Sequence, residues 1–266
     1  MEEMIKYYEN YDEENRMFRG RAQNLEFITT TSIMDNIILS NSTILEVGAG
    51  IGRYSFYYAA KKHQVTAVEI VPKYVQFMKE KLDKNEEELE LNIERGDARD
   101  LSRFSDESFD VVLCLGPLYH LTESEDRTRC IKECIRVLKK GGILAVAYVN
   151  KFFIIPYLAQ QDKKYLNEEY VSKIIEKGYI TSKDDDCFWT DAYFYSPDEL
   201  EKMMSQYNVS KLENIGTDGV SILLRDMVNS MDDEQYKVWV NYHLKTCREQ
   251  STLGYSNHGL YICKKN

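Results

Sequence analysis

The sequence lacks an apolar run of about 20 residues, the length that a membrane-spanning helix requires. Its first residues, Met1 to Lys6, lack the basic stretch and apolar core of a secretory signal. Six cysteines are spread along 266 residues without a Cys-x-x-Cys pair or a histidine spacing typical of zinc sites. We therefore expect reduced thiols, no metal, no membrane contact and a cytoplasmic location.

Positive charge is also scarce, because 34 Lys and Arg stand against 44 Asp and Glu, a formal net charge of -10. Charge of this sign repels phosphate backbones, so nucleic acid is a disfavoured partner. A chain of this length can bury a large core and fits one main domain with additions. These properties favour a globular enzyme with a small-molecule substrate, and they leave the oligomeric state open.

From Ser42 to Asn150, short β-branched runs alternate with longer segments of helical period. This alternation is typical of parallel strands joined by crossover helices, and it predicts an α/β fold. Strands are predicted over 43–47, 65–70, 91–96, 109–115 and 143–149, and again over 209–215 and 259–264. Helices are predicted over 73–82 and 124–138, the second with a basic last turn at Lys139 and Lys140 that Gly141 closes.

Four segments follow from this pattern. Residues 1–41 are helical and rich in tyrosine, which predicts an N-terminal lid, although these rings could equally cover a face of the sheet. Residues 42–150 are the predicted Rossmann-like core, and residues 151–195 a helical cap inserted after the fifth strand. Residues 196–266 complete the sheet and begin with a helix that Ser196 caps and Pro197 opens.

A glycine-rich turn follows the first predicted strand, in Glu46-Val-Gly-Ala-Gly-Ile-Gly52. Glycines at alternate positions let a strand turn sharply into a helix while its backbone passes close to a ligand. The dinucleotide-binding counterpart of this turn needs a small residue where this chain has Arg53. A nicotinamide-dependent oxidoreductase is therefore disfavoured.

Two carboxylates follow at the ends of the next two strands. Glu69 lies 21 residues after Gly48, near the spacing of about 20 at which a carboxylate binds a ribose diol. Asp97 ends the third strand, where it could accept a hydrogen bond from an adenine amino group. Either carboxylate alone could be a turn or capping residue, but their order after the glycine turn predicts an adenosyl site.

These motifs, together with Phe109-Asp-Val-Val-Leu-Cys114 and Val137-Leu-Lys-Lys-Gly-Gly142, resemble the class I S-adenosylmethionine-dependent methyltransferases. The resemblance implies a seven-stranded, mostly parallel sheet with helices on both faces and a final antiparallel hairpin. It also implies that S-adenosylmethionine binds at the C-terminal strand ends and leaves as S-adenosylhomocysteine. The implied cofactor-binding residues are Glu46, Gly48, Gly50, Glu69, Ile70, Asp97, Ala98 and Leu115.

The segment Leu115-Gly-Pro-Leu-Tyr-His-Leu121 follows the fourth strand, where this family brings cofactor and substrate together. It resembles a subgroup of small bacterial methyltransferases, which residues 190–194 and 254–258 also echo. His120 is the candidate general base, since an imidazole with an ordinary pKa near 6.5 can take a proton at neutral pH. It could equally position the cofactor or be structural.

Tyr119 is the second candidate catalytic residue, and Tyr193 and His258 are candidate substrate contacts. Aromatic rings can stabilise positive charge, but the chain has 20 tyrosines, so simple packing is the alternative. We hypothesise O- or N-methylation of a small molecule by in-line transfer. The alternatives are RNA or protein methylation, and a regulatory protein that binds S-adenosylmethionine without transferring its methyl group.

Overall fold

The computed structural model describes residues 2–11 and 20–266, and a mostly parallel sheet forms its centre. The first five strands are β1 (Thr43–Val47), β2 (Gln64–Glu69), β3 (Leu91–Arg95), β4 (Phe109–Cys114) and β5 (Leu138–Asn150). They lie in the order β3-β2-β1-β4-β5 and all pair in parallel. Every strand predicted in this region is therefore present within a few residues of its predicted bounds.

The C-terminal strands complete the sheet on the far side of β5. β9 (His258–Lys265) pairs antiparallel with β5, and β8 (Val209–Gly216) pairs antiparallel with β9. The seven strands β3-β2-β1-β4-β5-β9-β8 confirm the predicted sheet. Two short strands, β6 (Tyr179–Ile180) and β7 (Ala192–Tyr195), join the end of β5 and bring the described residues to nine strands.

Helices connect and cover these strands. Before the sheet lie α1 (Glu2–Asn10) and α2 (Arg21–Met34), and the parallel strands are joined by α3 (Arg53–Ala60), α4 (Pro72–Asp83) and α5 (Ser124–Val137). After β5 come α6 (Lys151–Gln161), α7 (Glu168–Ser172), α8 (Pro197–Met204), α9 (Arg225–Ser230), α10 (Asp233–Thr246) and α11 (Gln250–Leu253). No helix within residues 2–11 and 20–266 is both long enough and apolar enough to span a membrane.

The core consists of two apolar clusters on opposite faces of the sheet. Val47 points to the face that α5 covers, where it shares a cluster with Cys130. Ile44 points to the other face, where it packs with Tyr58 of α3 and Val75 of α4. Burial on both faces explains why these strands are rich in Val, Ile and Leu, as parallel strands between helical layers usually are.

The end of α5 differs from the predicted basic last turn. α5 ends at Val137, and Leu138 is already extended, with φ -75° and ψ 132°. Lys139 and Lys140 lie inside β5, where pairing with β4 is irregular between the Phe109–Leu138 pair and the next one. Gly141, with φ +73°, therefore accommodates a bulge in the strand rather than capping a helix.

The segment after β5 packs around an apolar cluster of its own, which includes Leu158, Tyr170 and Ile174. It contains the helical turns expected of a cap together with the β6–β7 hairpin, whose Phe194 pairs with Val149 of β5. This pairing holds the segment beside the C-terminal end of β5. The predicted domain boundaries at residues 41, 150 and 195 stay predictions.

Three helices between β8 and β9, namely α9 to α11, were not predicted from the sequence. The first two, α9 and α10, hold α2 in place: the Tyr236 hydroxyl of α10 donates a 2.8 Å hydrogen bond to the Arg21 carbonyl. The Asn229 side chain accepts a 3.0 Å hydrogen bond from the Ala22 amide. The C-terminal part of the chain thus fixes a helix that borders the cavity described next.

Candidate active site

A cavity of about 1200 Å³, counted with its open mouth, lies at the C-terminal ends of β1 to β4. Ligands of open α/β sheets bind at this edge. Its lining includes all eight predicted cofactor-binding residues, namely Glu46, Gly48, Gly50, Glu69, Ile70, Asp97, Ala98 and Leu115, as well as Tyr119 and His120.

The glycine turn between β1 and α3 needs residues without a Cβ. Gly48, Gly50 and Gly52 have φ values of +71°, +56° and +79°, a region that other residues rarely adopt. A Cβ on Gly48 would lie 2.6 Å from Cγ of Pro117, whereas a Cβ on Gly50 would meet no atom within 4 Å. Gly50 thus leaves open space at the cavity wall, where a ligand can approach the backbone.

The Glu69 carboxylate is held by two backbone amides at the end of β2. Its two oxygens accept hydrogen bonds from Gly50 N–H at 2.7 Å and from Val71 N–H at 2.8 Å. A carboxylate that accepts a hydrogen bond on each oxygen from the backbone has a set orientation. The residue is buried and lines the cavity, and its contact with a ribose stays a prediction.

Asp97 is also held in place, but by a side chain that the sequence analysis did not connect with it. The Arg99 guanidinium donates hydrogen bonds to both carboxylate oxygens of Asp97, with its Nη2 atom 2.6 Å from Oδ2. It also donates a hydrogen bond to the Asp126 carboxylate. Burial alone would raise the pKa of Asp97, but the Arg99 bonds outweigh it and lower the pKa below its ordinary value. Asp97 is therefore an anion with a set orientation.

Glu46 is the most deeply buried acid of the site. Burial raises its pKa to about 8, even though the Ser55 hydroxyl donates a hydrogen bond to it. Gln23 of α2 lines the same cavity, and its buried Oε1 accepts no hydrogen bond from the described residues. A buried acceptor without a donor is costly, so this oxygen fits the ammonium group of a ligand.

His120 lies in the one-turn helix Pro117–His120 that follows β4. Its Nδ1 is 3.0 Å from the carbonyl oxygen of Asp191, and its Nε2 is 2.9 Å from the Tyr8 hydroxyl. A carbonyl only accepts, so Nδ1 carries the proton, and in the neutral ring Nε2 accepts from Tyr8. The geometry therefore aims the basic nitrogen of His120 at a hydroxyl group.

Aromatic rings surround His120 on several sides. The Tyr119 ring centroid is 4.8 Å from that of His120, and the Trp189 centroid is 4.9 Å from it. Tyr8 and Met4 of α1 also line the cavity, so this helix closes one side of it as the predicted lid would. Lys73 donates to the Glu9 and Tyr11 carbonyls at 3.0 and 3.2 Å and anchors the end of α1.

Comparison with known proteins agrees with this geometry. Residues 45–146 match the family model described as a methyltransferase domain. A solved S-adenosylmethionine-dependent methyltransferase from Methanosarcina mazei superposes with a TM-score of 0.60 and 21% identity, over 88% of this chain and 96% of that one. The core has the methyltransferase fold.

Curated relatives match only part of the chain. The ubiquinone biosynthesis O-methyltransferase of Xanthomonas euvesicatoria pv. vesicatoria is 29% identical over 60% of this chain and 61% of its own length. The erythromycin 3''-O-methyltransferase of Saccharopolyspora erythraea is 32% identical over 41% of this chain and 35% of its own. The chain thus spans about three fifths or less of these relatives.

The two predicted substrate contacts lie in different surroundings within the methyltransferase fold. The Tyr193 ring faces Arg127 rather than the cavity. The guanidinium carbon of Arg127 lies 3.6 Å from the centroid of the Tyr193 ring. His258 lies nearer, with its ring centroid 6.5 Å from that of Tyr119. Its Nδ1 is 2.9 Å from the buried carboxylate of Asp218.

Three thiols, one from β4 and two from α5, meet beneath this site. Cys114, Cys130 and Cys134 are fully buried, and the sulfurs of Cys114 and Cys130 lie 3.8 Å apart. They belong to the apolar cluster under α5, which fits their predicted role as small packing residues. The absence of a resident metal stays a prediction.

Several site residues were missed by sequence reasoning because they carry no local signal. Asp191 contacts His120 through its backbone carbonyl, which any residue type supplies. Gln23 lies outside every motif that the sequence analysis recognised. Tyr8 lay in the predicted lid, but nothing in the sequence paired it with His120. Trp189 stands just before the segment 190–194 that the resemblance singled out, so that segment could have pointed to it.

Proposed function

We propose that the protein is an S-adenosylmethionine-dependent methyltransferase that methylates a hydroxyl group of a small molecule. One observation carries the proposal. The buried Glu69 carboxylate is clasped by the amides of Gly50 and Val71, in a cavity at the C-terminal strand ends that the glycine turn and Asp97 also line. This arrangement has the donors, acceptors and open backbone that an adenosyl group needs.

The residues present fit S-adenosylmethionine. Glu69 would accept hydrogen bonds from the ribose hydroxyls, and the oriented anion of Asp97 would accept one from the adenine amino group. The unpaired Gln23 oxygen and the carboxyl group of Glu46 would hold the ammonium end. When bound, the cofactor supplies a methyl group on a positively charged sulfur.

The remaining residues would align and deprotonate the acceptor. Methyl transfer is an in-line displacement, so the site mainly has to position the reacting atoms and exclude water. Tyr119, Trp189 and α1 enclose the space around His120. Nε2 of His120, whose tautomer the Asp191 carbonyl sets, would accept the proton of the hydroxyl as the methyl group arrives.

A small-molecule acceptor fits this chain better than RNA or protein. The net charge of -10 disfavours a nucleic-acid groove, and both curated relatives described above are named as O-methyltransferases. The lid helix α1 closes one side of the cavity, which suits a compact acceptor. The cavity is open, which supports an enzyme rather than a regulatory binding protein. We also propose that the protein is cytoplasmic and that it belongs to the bacterial subgroup that residues 115–121 resemble.

The test is transfer of labelled methyl from S-adenosylmethionine to a cell extract that has been separated into small molecules, RNA and protein. We expect label in the small-molecule fraction with the wild-type chain and none above background with Glu69→Gln. Glu80→Gln, a substitution on the exposed face of α4, is the matched control and should behave as wild type. Label confined to RNA or protein would contradict the proposal.

A further inference from the structure

The hydrogen bond between Tyr8 and His120 indicates what kind of hydroxyl the site accepts. The phenolic oxygen of Tyr8 lies 2.9 Å from Nε2 of His120, and Nδ1 of the same ring faces the Asp191 carbonyl. With that tautomer the phenol is the donor and the imidazole the acceptor. A phenol therefore already sits on the nitrogen that the proposed reaction uses as its base.

The surroundings of this phenol also suit a flat aromatic ring. The Tyr8 ring meets His120 edge to face, with centroids 5.3 Å apart and planes at 80°. The Tyr74 ring lies 6.1 Å from it on another side. Edge-to-face contacts of this kind add roughly 0.5–1.5 kcal/mol beyond the burial of area, so the pocket binds a ring as well as a hydroxyl.

The helix that carries Tyr8 is short. α1 has nine residues, short of the roughly 12–15 at which an isolated helix becomes even marginally stable in water. Among the described residues its buried side chain is Met4, and Lys73 holds its end through exposed hydrogen bonds to backbone carbonyls. Withdrawal of Tyr8 would exchange its ring contacts with Tyr74 and His120 for those of an incoming ring.

We propose, on the basis of the methyltransferase function proposed above, that the acceptor is a phenol and that it displaces the Tyr8 hydroxyl from His120. The oxygen of the bound phenol forms a bond to the methyl carbon as its proton passes to Nε2 of His120. The electron pair of the broken carbon–sulfur bond stays on the sulfur. The products are an aryl methyl ether, S-adenosylhomocysteine and a protonated imidazole that returns its proton to water.

The acidity of the acceptor supports this choice. A phenol has an ordinary pKa of about 10, so it gives up its proton to a base at neutral pH more readily than an alcohol does. An aliphatic alcohol resembles water, with a pKa of about 15.7, and is a much weaker acid. We therefore expect His120 to take a proton from a phenolic hydroxyl more readily than from an alkyl one.

The first test compares three probes that share a six-membered ring: phenol, cyclohexanol and cyclohexylamine. Calorimetry with S-adenosylmethionine comes first, because absent binding would overturn the proposed function itself. If the cofactor binds, we expect methylated phenol and at least tenfold less product from the other two probes. Comparable methylation of cyclohexanol or cyclohexylamine, or none of phenol, would overturn the phenol proposal alone.

The second test removes the internal competitor. Tyr8→Phe keeps the ring and deletes the hydroxyl, so we expect the KM for phenol to fall about threefold to tenfold, the range for one hydrogen bond. Tyr7→Phe changes a residue on the same helix whose ring stacks on Tyr11, and should leave the KM as in wild type. An unchanged or raised KM, or a lower kcat, in Tyr8→Phe would refute displacement.

Discussion

Glu46 is a buried acid whose protonation links the stability of the ligand-free protein to pH. Its pKa is raised from 4.5 to about 8, because burial penalises the carboxylate more than the Ser55 hydrogen bond favours it. The folded chain therefore holds a proton that the unfolded chain releases between these two values. The contribution of Glu46 to stability is fully present below pH 4.5 and is lost as the pH rises to about 8.

We predict that Glu46→Gln removes this dependence, because the amide keeps the shape of the side chain and the acceptor for Ser55. Between pH 5 and pH 8 the free energy of unfolding of wild type should fall relative to that of Glu46→Gln by on the order of 3 kcal/mol. Denaturant unfolding of both proteins at several pH values measures the difference. A constant difference across this range would show that Glu46 is already ionised.

At the scale of single elements, the glycine turn allows two substitutions to be compared. Gly48→Ala should destabilise the protein more than Gly50→Ala. Both force alanine into a left-handed conformation at about 1–2 kcal/mol, but only the first also places a Cβ 2.6 Å from Pro117. The clash should add roughly 1–3 kcal/mol. Equal loss of stability in the two variants, measured by denaturant unfolding, would argue against the close packing of this turn on Pro117.

The lid helix α1 allows a kinetic prediction. Lys73→Met keeps most of the side-chain stem but removes the bonds to the Glu9 and Tyr11 carbonyls, so α1 should open more often. We expect S-adenosylhomocysteine to dissociate about twofold to fivefold faster, as measured by stopped-flow fluorescence. Lys79→Met, on the exposed surface of the same helix α4, is the control. Equal rates in the two variants would show that α1 does not gate the site.

The elements themselves were predictable to different degrees. β1 to β5 were found because buried parallel strands are continuous apolar runs bounded by turn residues. The prediction that α5 ends in a basic turn was wrong. A lysine-lysine-glycine sequence suits both a helix end and a strand bulge, and the pairing of β5 with β4 decides between them. Helices α9 and α10 were missed because their role, support of α2, depends on contacts with residues over 200 positions away.

Across the whole molecule, the cofactor half of the site was predictable from local patterns, whereas the surroundings of His120 depend on contacts between distant parts of the chain. Gly48, Glu69 and Asp97 were predicted together because each ends a strand, and parallel strands bring those ends to one edge. The surroundings of His120, the proposed base, were only partly predicted: Tyr8 and His120 are 112 residues apart, and His120 and Asp191 are 71 apart. No local pattern encodes such pairs, and the lid and cap bring them together only in the folded chain.

The central claim is that this edge of the sheet binds S-adenosylmethionine through Glu69, and calorimetric titration tests it most directly. In Glu69→Gln, an amide N–H would face one of the two backbone amides that the carboxylate now satisfies. We predict saturable binding of one S-adenosylmethionine per chain for wild type and Glu80→Gln, and at least tenfold weaker binding for Glu69→Gln at matched thermal stability. No binding to wild type, or equal affinity in all three proteins, would contradict the account.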